Sequence, residues 1–178
     1  TPGNPIGGWV GEIMDINAAG TVAVGIESGA QLKEAYKWTP TEGVISLGRY
    51  DAQVCYLDWL TGTESCEDRE TTARSVSDDG QVITGASRLL RAGVDDGAIY
   101  TPKMGWMLLG DFLESQGVLE ASRWWILGAT VSGSGKTLVG TALPLAADYW
   151  HGFRLDLDQV FVCHGTGDVP PPLSSARA

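Results

Sequence analysis

"VSGSGKTLVG", Val131 to Gly140, crowds glycines around a Lys-Thr pair and then runs on into apolar residues. Alone, it suggests a phosphate-binding loop. Two other stretches change that reading: "INAAGTVAVG" (Ile16 to Gly25) and "VSDDGQVITG" (Val76 to Gly85). All three start with an apolar residue, then Asn or Ser, then two small or acidic residues and a glycine. Four residues of apolar alternation follow, and a second glycine closes the pattern. The first glycines are Gly20, Gly80 and Gly135, and the second are Gly25, Gly85 and Gly140. From Gly20 to Gly80 is 60 residues, and from Gly80 to Gly135 is 55. Self-similarity at such a period marks an array of supersecondary units.

A phosphate loop needs a glycine five residues before Gly135, where Thr130 stands, and it must open a helix. "TLVG" reads as a strand, so the nucleotide reading falls away and no cofactor is implied. A second block follows in two copies, "TPTEGVISLG" (Thr39 to Gly48) and "TPKMGWMLLG" (Thr101 to Gly110), preceded by Trp38 and Tyr100 in equivalent places. The third copy keeps only "GFRLDL", Gly152 to Leu157, as its relic.

One unit reads as a meander of short antiparallel strands, from "EIMDIN" through "TVAVGI" and "EAYKW" to "GVISLG". Gly20, Gly80 and Gly135 fall where a hairpin turn needs positive φ, which glycine adopts without a Cβ clash. Asn17, Ser77 and Ser132 can bond the turn backbone through their side chains. Gly25, Gly85 and Gly140 mark a bulge or a close backbone approach. "DFLESQG" predicts one short helix, with Asp111 as N-cap, Glu114 three residues on and Gly117 as the stop. About three four-stranded units of this kind form an all-β fold of β-propeller-type blades. The units run over about 9–48, 72–110 and 111–164, with an insertion at 49–71. Together they make one domain, 1–166, followed by a Pro/Ser-rich tail at 167–178.

The pattern resembles the HAF-type probable extracellular repeat of secreted bacterial proteins. "SVSDDGQVITG" matches its first element, and "EAYKWTPTEGVISLG" matches the other two. The resemblance implies a propeller-like, exported protein and brings no catalytic residues with it. It also bears on Cys55 and Cys66, which lie in the insertion "VCYLDWLTGTESCEDRE". An export-type repeat favours a Cys55–Cys66 disulfide, closing a loop of about a dozen residues worth roughly 2–3 kcal/mol in the chain-entropy model. The alternatives are reduced thiols or, less well matched in spacing, a zinc site. Cys163 is then odd, a free thiol or an intermolecular bridge, and its neighbour His164 completes no haem motif.

The balance of 12 basic against 22 acidic residues gives a net charge of −10, which repels phosphate backbones and excludes nucleic acid as a partner. No stretch is long and apolar enough to span a bilayer. The opening "TPGNPIGG" has no basic or apolar leader region, so any signal peptide is expected to have been removed or to lie outside this stretch. The acidic pairs Asp78-Asp79 and Asp95-Asp96 follow no calcium-loop spacing, so they are expected to be solvated turn residues rather than a metal site. His151, in "ADYWHGF", reads as a packing histidine. Of seven tryptophans, Trp59 stands outside the repeat, and it is the candidate for ligand or partner contact.

Three blades do not close a ring, since propellers use about four to eight. The chain is therefore either a piece of a longer propeller or a unit completed by association. The function expected is a secreted, non-catalytic structural or interaction module at a cell surface or in an extracellular assembly. A carbohydrate-binding, lectin-like propeller is the alternative, and a hydrolase a weaker one.

Overall fold

The computed structural model describes residues 11–27, 33–50, 54–57, 62–89, 94–118, 123–145 and 149–157. Trp59, Cys163, His164 and the 167–178 tail lie outside them.

Strand β1 (Gly11–Ile16), β2 (Ala23–Glu27), β3 (Ala35–Thr39) and β4 (Gly43–Gly48) form the first sheet, in chain order. The second repeats this order with β7 (Arg69–Val76), β8 (Ile83–Leu89), β9 (Val94–Thr101) and β10 (Gly105–Leu108). Helix α1 (Leu109–Ser115) leads to the third sheet of β11 (Trp124–Val131), β12 (Thr137–Pro144) and β13 (His151–Asp156). A separate hairpin, β5 (Val54–Leu57) with β6 (Glu64–Glu67), fills the insertion. Neighbouring strands pair antiparallel throughout. The fold is all-β, built of propeller-type blades with one short helix.

The sheets stack in chain order through two apolar layers. Val24 and Ala35 of the first sheet meet Ala73, Val76, Ile83, Ala98 and Trp106 of the second. Ile99 of the second sheet meets Ile126, Val131, Leu138 and Leu155 of the third, sealed by Leu109, Phe112 and Leu113 of the helix. Neighbouring residues of the middle sheet thus serve opposite layers: Ala98 packs toward the first sheet and Ile99 toward the third. A strand covered on both faces reads as an unbroken buried run, and β8 is buried from Ile83 to Ser87. Each large aliphatic side chain withdrawn from water contributes about 1.5–3 kcal/mol.

The closing glycine of each repeat admits the neighbouring strand. A Cβ at Gly25 would fall inside the carbonyl oxygen of Glu12, one at Gly85 inside that of Thr72, and one at Gly140 inside that of Gly128. The bulges lie in the partner strands, where the register slips between Ile13 and Asp15 and between Ala73 and Ser75. In the third sheet the slip lies between Ile126 and Gly128, two positions nearer the start of the strand.

Two local expectations are corrected. "GFRLDL" is not a relic of the fourth strand: it lies in β13, paired with β12, and Leu155 takes the place that Trp38 has in the first sheet. Asp111 is not the N-cap. The N-cap is Leu108, three residues earlier, in extended conformation with no side-chain cap, because burial of Leu109 together with Phe112 and Leu113 sets the helix start. Asp111 instead sits in the first turn, where a carboxylate favours the positive end of the helix dipole. Gly117, at φ +83°, ends the helix in the left-handed region.

Candidate functional site

The stretch 132–137 is the third of three superposable hairpin turns. Gly20, Gly80 and Gly135 have φ of 68°, 67° and 72°. Their amides donate to the carbonyls of Asn17, Ser77 and Ser132 at 2.9, 2.9 and 2.8 Å. Asn17 Oδ1 accepts from the amides of Thr21 and Val22, Ser77 Oγ from that of Val82, and Ser132 Oγ from that of Thr137. Thr137 opens strand β12, so the Gly-Lys-Thr run precedes a strand and offers no helix N-terminus to a phosphate.

The turns also bond to one another. Asp78 is the pivot: its Oδ1 accepts from Ala18 N at 3.0 Å, its carbonyl accepts from Asn17 Nδ2 at 2.7 Å, and its amide donates to Gly133 O at 2.7 Å. Asp15 Oδ2 accepts from Val76 N at 3.0 Å. Deeper in the second interface, Thr84 Oγ1 donates to Ala129 O at 2.8 Å in a buried bond.

The acidic pairs have defined partners. Asp79 accepts from Ser77 Oγ at 2.6 Å and from Gln81 N at 3.0 Å. The Ser77 bond first, then the Gln81 amide, hold its carboxyl below the ordinary range. Asp95 pairs with Arg74 at 2.7 Å and Arg88 at 3.7 Å, and Asp96 with Arg69 at 2.6 Å. At the far end of the third sheet, Thr137 Oγ1 chiefly, with Arg154, lowers the Asp156 carboxyl. Tyr50, whose hydroxyl reaches Asp111 Oδ2 at 3.4 Å, is raised by burial first and by the Asp111 charge second.

Two places gather chemistry. One is a basin of about 140 Å³ whose walls include Met14, Lys33, Glu70, Arg74, Arg88 and Asp95. Register places Glu70, Arg88 and Asp95 side by side across β7, β8 and β9. The other is an aromatic cluster at one end of the third sheet. Trp125 and Trp150 lie 5.8 Å apart, Trp124 meets the His151 ring edge-on at 5.5 Å, and Tyr149 covers His151 at 4.9 Å. Asp96 Oδ1 accepts the Trp125 indole N–H at 2.8 Å and ties the cluster to the second sheet. Tyr149 and Trp150 are exposed.

His151 packs among rings, as its sequence context suggests. Trp59 lies outside the described residues, and the aromatic surface that the structure does describe gathers other tryptophans, Trp124, Trp125 and Trp150. Its signal is "WW" at the start of one strand and "YWH" at the start of the next but one, which antiparallel pairing through β12 brings together. Cys55 and Cys66 face each other across the β5–β6 hairpin and are joined by a disulfide. Glu64 lies beside them, yet both sulfurs are committed to that bond rather than available as thiolate metal ligands.

A chain of stacked meander sheets is a propeller-type repeat protein. No family model and no curated protein matches the sequence. Among solved structures, it is similar to TolB from Acinetobacter baumannii, at 18% identity and a TM-score of 0.46 over 80% of this chain and 29% of that one. It is also similar to the chain described as "putative TolB from Agrobacterium tumefaciens", at 13% identity and a TM-score of 0.34, over 80% and 60% of the two chains. The chain thus spans less than a third of the first and three fifths of the second.

Proposed function

We propose that the chain is a non-catalytic interaction module of an exported bacterial protein, of the HAF repeat type, working in a cell-surface or extracellular assembly. The observation that carries this is the aromatic cluster of the third sheet. Tyr149 presents its ring to solvent against His151, which Trp124 meets edge-on, and Trp150 presents its ring against Trp125. Large rings anchored by packing lose little conformational freedom on binding, which is why tryptophan and tyrosine dominate interface energetics. The Cys55–Cys66 disulfide supports an oxidising compartment.

The test is a photo-crosslinking residue at position 150 in the exported chain. A discrete adduct that Tyr149→Ala abolishes supports the module, and only uniform background refutes it. The same rings favour a second reading, stacking on a sugar face. A glycan array separates the two: saturable binding lost in Trp150→Ala establishes the sugar reading, and no binding removes it.

A further inference from the structure

The two interfaces between sheets are copies of one arrangement, and equivalent positions can be compared along the chain. In register, Ile16, Val76 and Val131 occupy one place in the three repeats, as do Val24, Thr84 and Val139. Val76 and Val131 are 4% and 5% exposed because each packs toward the preceding sheet, whereas Ile16 is 53% exposed. Val24 and Thr84 are 1% and 0% exposed because each packs toward the following sheet, whereas Val139 is 49% exposed.

The turns repeat the pattern. A Cβ added at Gly80 would meet Val22 at 3.0 Å, and one at Gly135 would meet Val82 at 3.4 Å. Around Gly20, among the described residues, nothing lies within 4 Å. Thr137 holds the place in the third turn that Val22 and Val82 hold in the first two. The first sheet thus presents the receiving half of an interface made twice within the chain, and the third sheet presents the donating half.

We propose that a second copy of this chain docks head to tail on these two faces. Thr137 and Val139 of one copy lie against Ile13, Ile16 and Gly20 of the other, and two copies close a ring of six blades. The occupant follows from continuity with the existing interface: the step from the first sheet to the second recurs from the second to the third, and one more step brings in a first sheet. Six blades fall within the usual range of about four to eight for a closed propeller. Because one kind of patch meets a different kind, the contact forms twice, related by the two-fold axis of the ring, and both patches of a copy are covered only when the ring closes. Each copy carries −10, so repulsion opposes assembly and added salt strengthens it. This goes beyond the aromatic contact surface and does not depend on it.

The experiment is light scattering on the 178-residue chain across a concentration series, with Val139→Asp and Ile16→Asp as variants. Both side chains are exposed in the single chain, so each variant should keep the wild-type circular dichroism and melting curve. The wild type is expected as a dimer, and each variant should weaken association at least tenfold. A wild-type monomer at all concentrations overturns the proposal, as do a dimer indifferent to both variants or an open ladder of larger species.

Discussion

Gly80, in the second turn, sits directly over Val22 in the first: a Cβ placed on it would lie 3.0 Å from Val22 Cγ2. The same glycine holds φ at 67°. One residue thus answers a local demand of the turn and a long-range demand of the stack. The two demands separate by comparison with Gly20, which has φ 68° and no described atom within 4 Å of its would-be Cβ. Gly20→Ala is expected to cost about 1–2 kcal/mol from left-handed strain alone. Gly80→Ala should cost roughly 1 kcal/mol more, because Val22 must shift. Urea denaturation of the two variants checks this, and equal losses would show that Val22 yields freely.

The buried bond from Thr84 Oγ1 to Ala129 O joins the second and third sheets at a point sealed from water. Thr84→Val keeps the shape and leaves that carbonyl without its donor, for an expected loss of about 1–2 kcal/mol. Thr84→Ser keeps the hydroxyl and should retain the bond, losing only a methyl group's packing. Chemical denaturation gives both values. A Thr84→Val protein as stable as wild type would mean that this bond adds nothing to the stack.

Much of this fold was legible because the turns are local. A type of turn that requires positive φ at one place selects glycine there, so three turns leave three glycines in the same frame: Gly20, Gly80 and Gly135. What the frame does not carry is anything settled by packing between units. Asp111 has the chemistry of a cap, but burial of Leu109 drew the helix start past it. "GFRLDL" looked like the end of a unit because the third repeat lacks the Thr-Pro marker, and only its pairing with β12 assigns it. The aromatic cluster joins Trp125 to Trp150 across an intervening strand, a distance along the chain that no local motif spans. Equally hidden was that Ile16 and Val76, alike in sequence, differ in exposure because, among the described residues, only Val76 packs against a sheet that precedes its own.

Asp79 ties its turn together by accepting from Ser77 Oγ and the Gln81 amide, and these bonds lower its carboxyl pKa in the fold. A carboxyl more acidic folded than unfolded stabilises the fold fully above the unfolded value, near about 3.9. That contribution is lost as pH falls through the folded value. Asp79 is exposed, so solvent screening holds the gain to a few tenths of a kcal/mol, at most about 1. Asp79→Asn should therefore be slightly less stable than wild type at pH 7, with the difference vanishing toward pH 2. Paired melts from pH 7 to pH 2 measure it. A difference constant across that range would assign the effect to shape rather than charge.

The β5–β6 hairpin stands apart as a two-stranded sheet, and such a hairpin is at best marginally stable alone in water. Its cross-strand Cys55–Cys66 bond holds the strands in register from inside the hairpin, across a sequence separation of 11. By the chain-entropy argument the bond disfavours the open hairpin by roughly 2–3 kcal/mol, equivalent to about 30- to 150-fold in the opening equilibrium. Replacing both cysteines with serine should therefore accelerate amide exchange within Val54–Leu57 and Glu64–Glu67 by about that factor. The three larger sheets, packed through two shared apolar layers, should keep their protection. Exchange measured residue by residue distinguishes this from a global effect: uniform acceleration through β7, β8 and β9 would show that the crosslink supports the whole stack and not one hairpin.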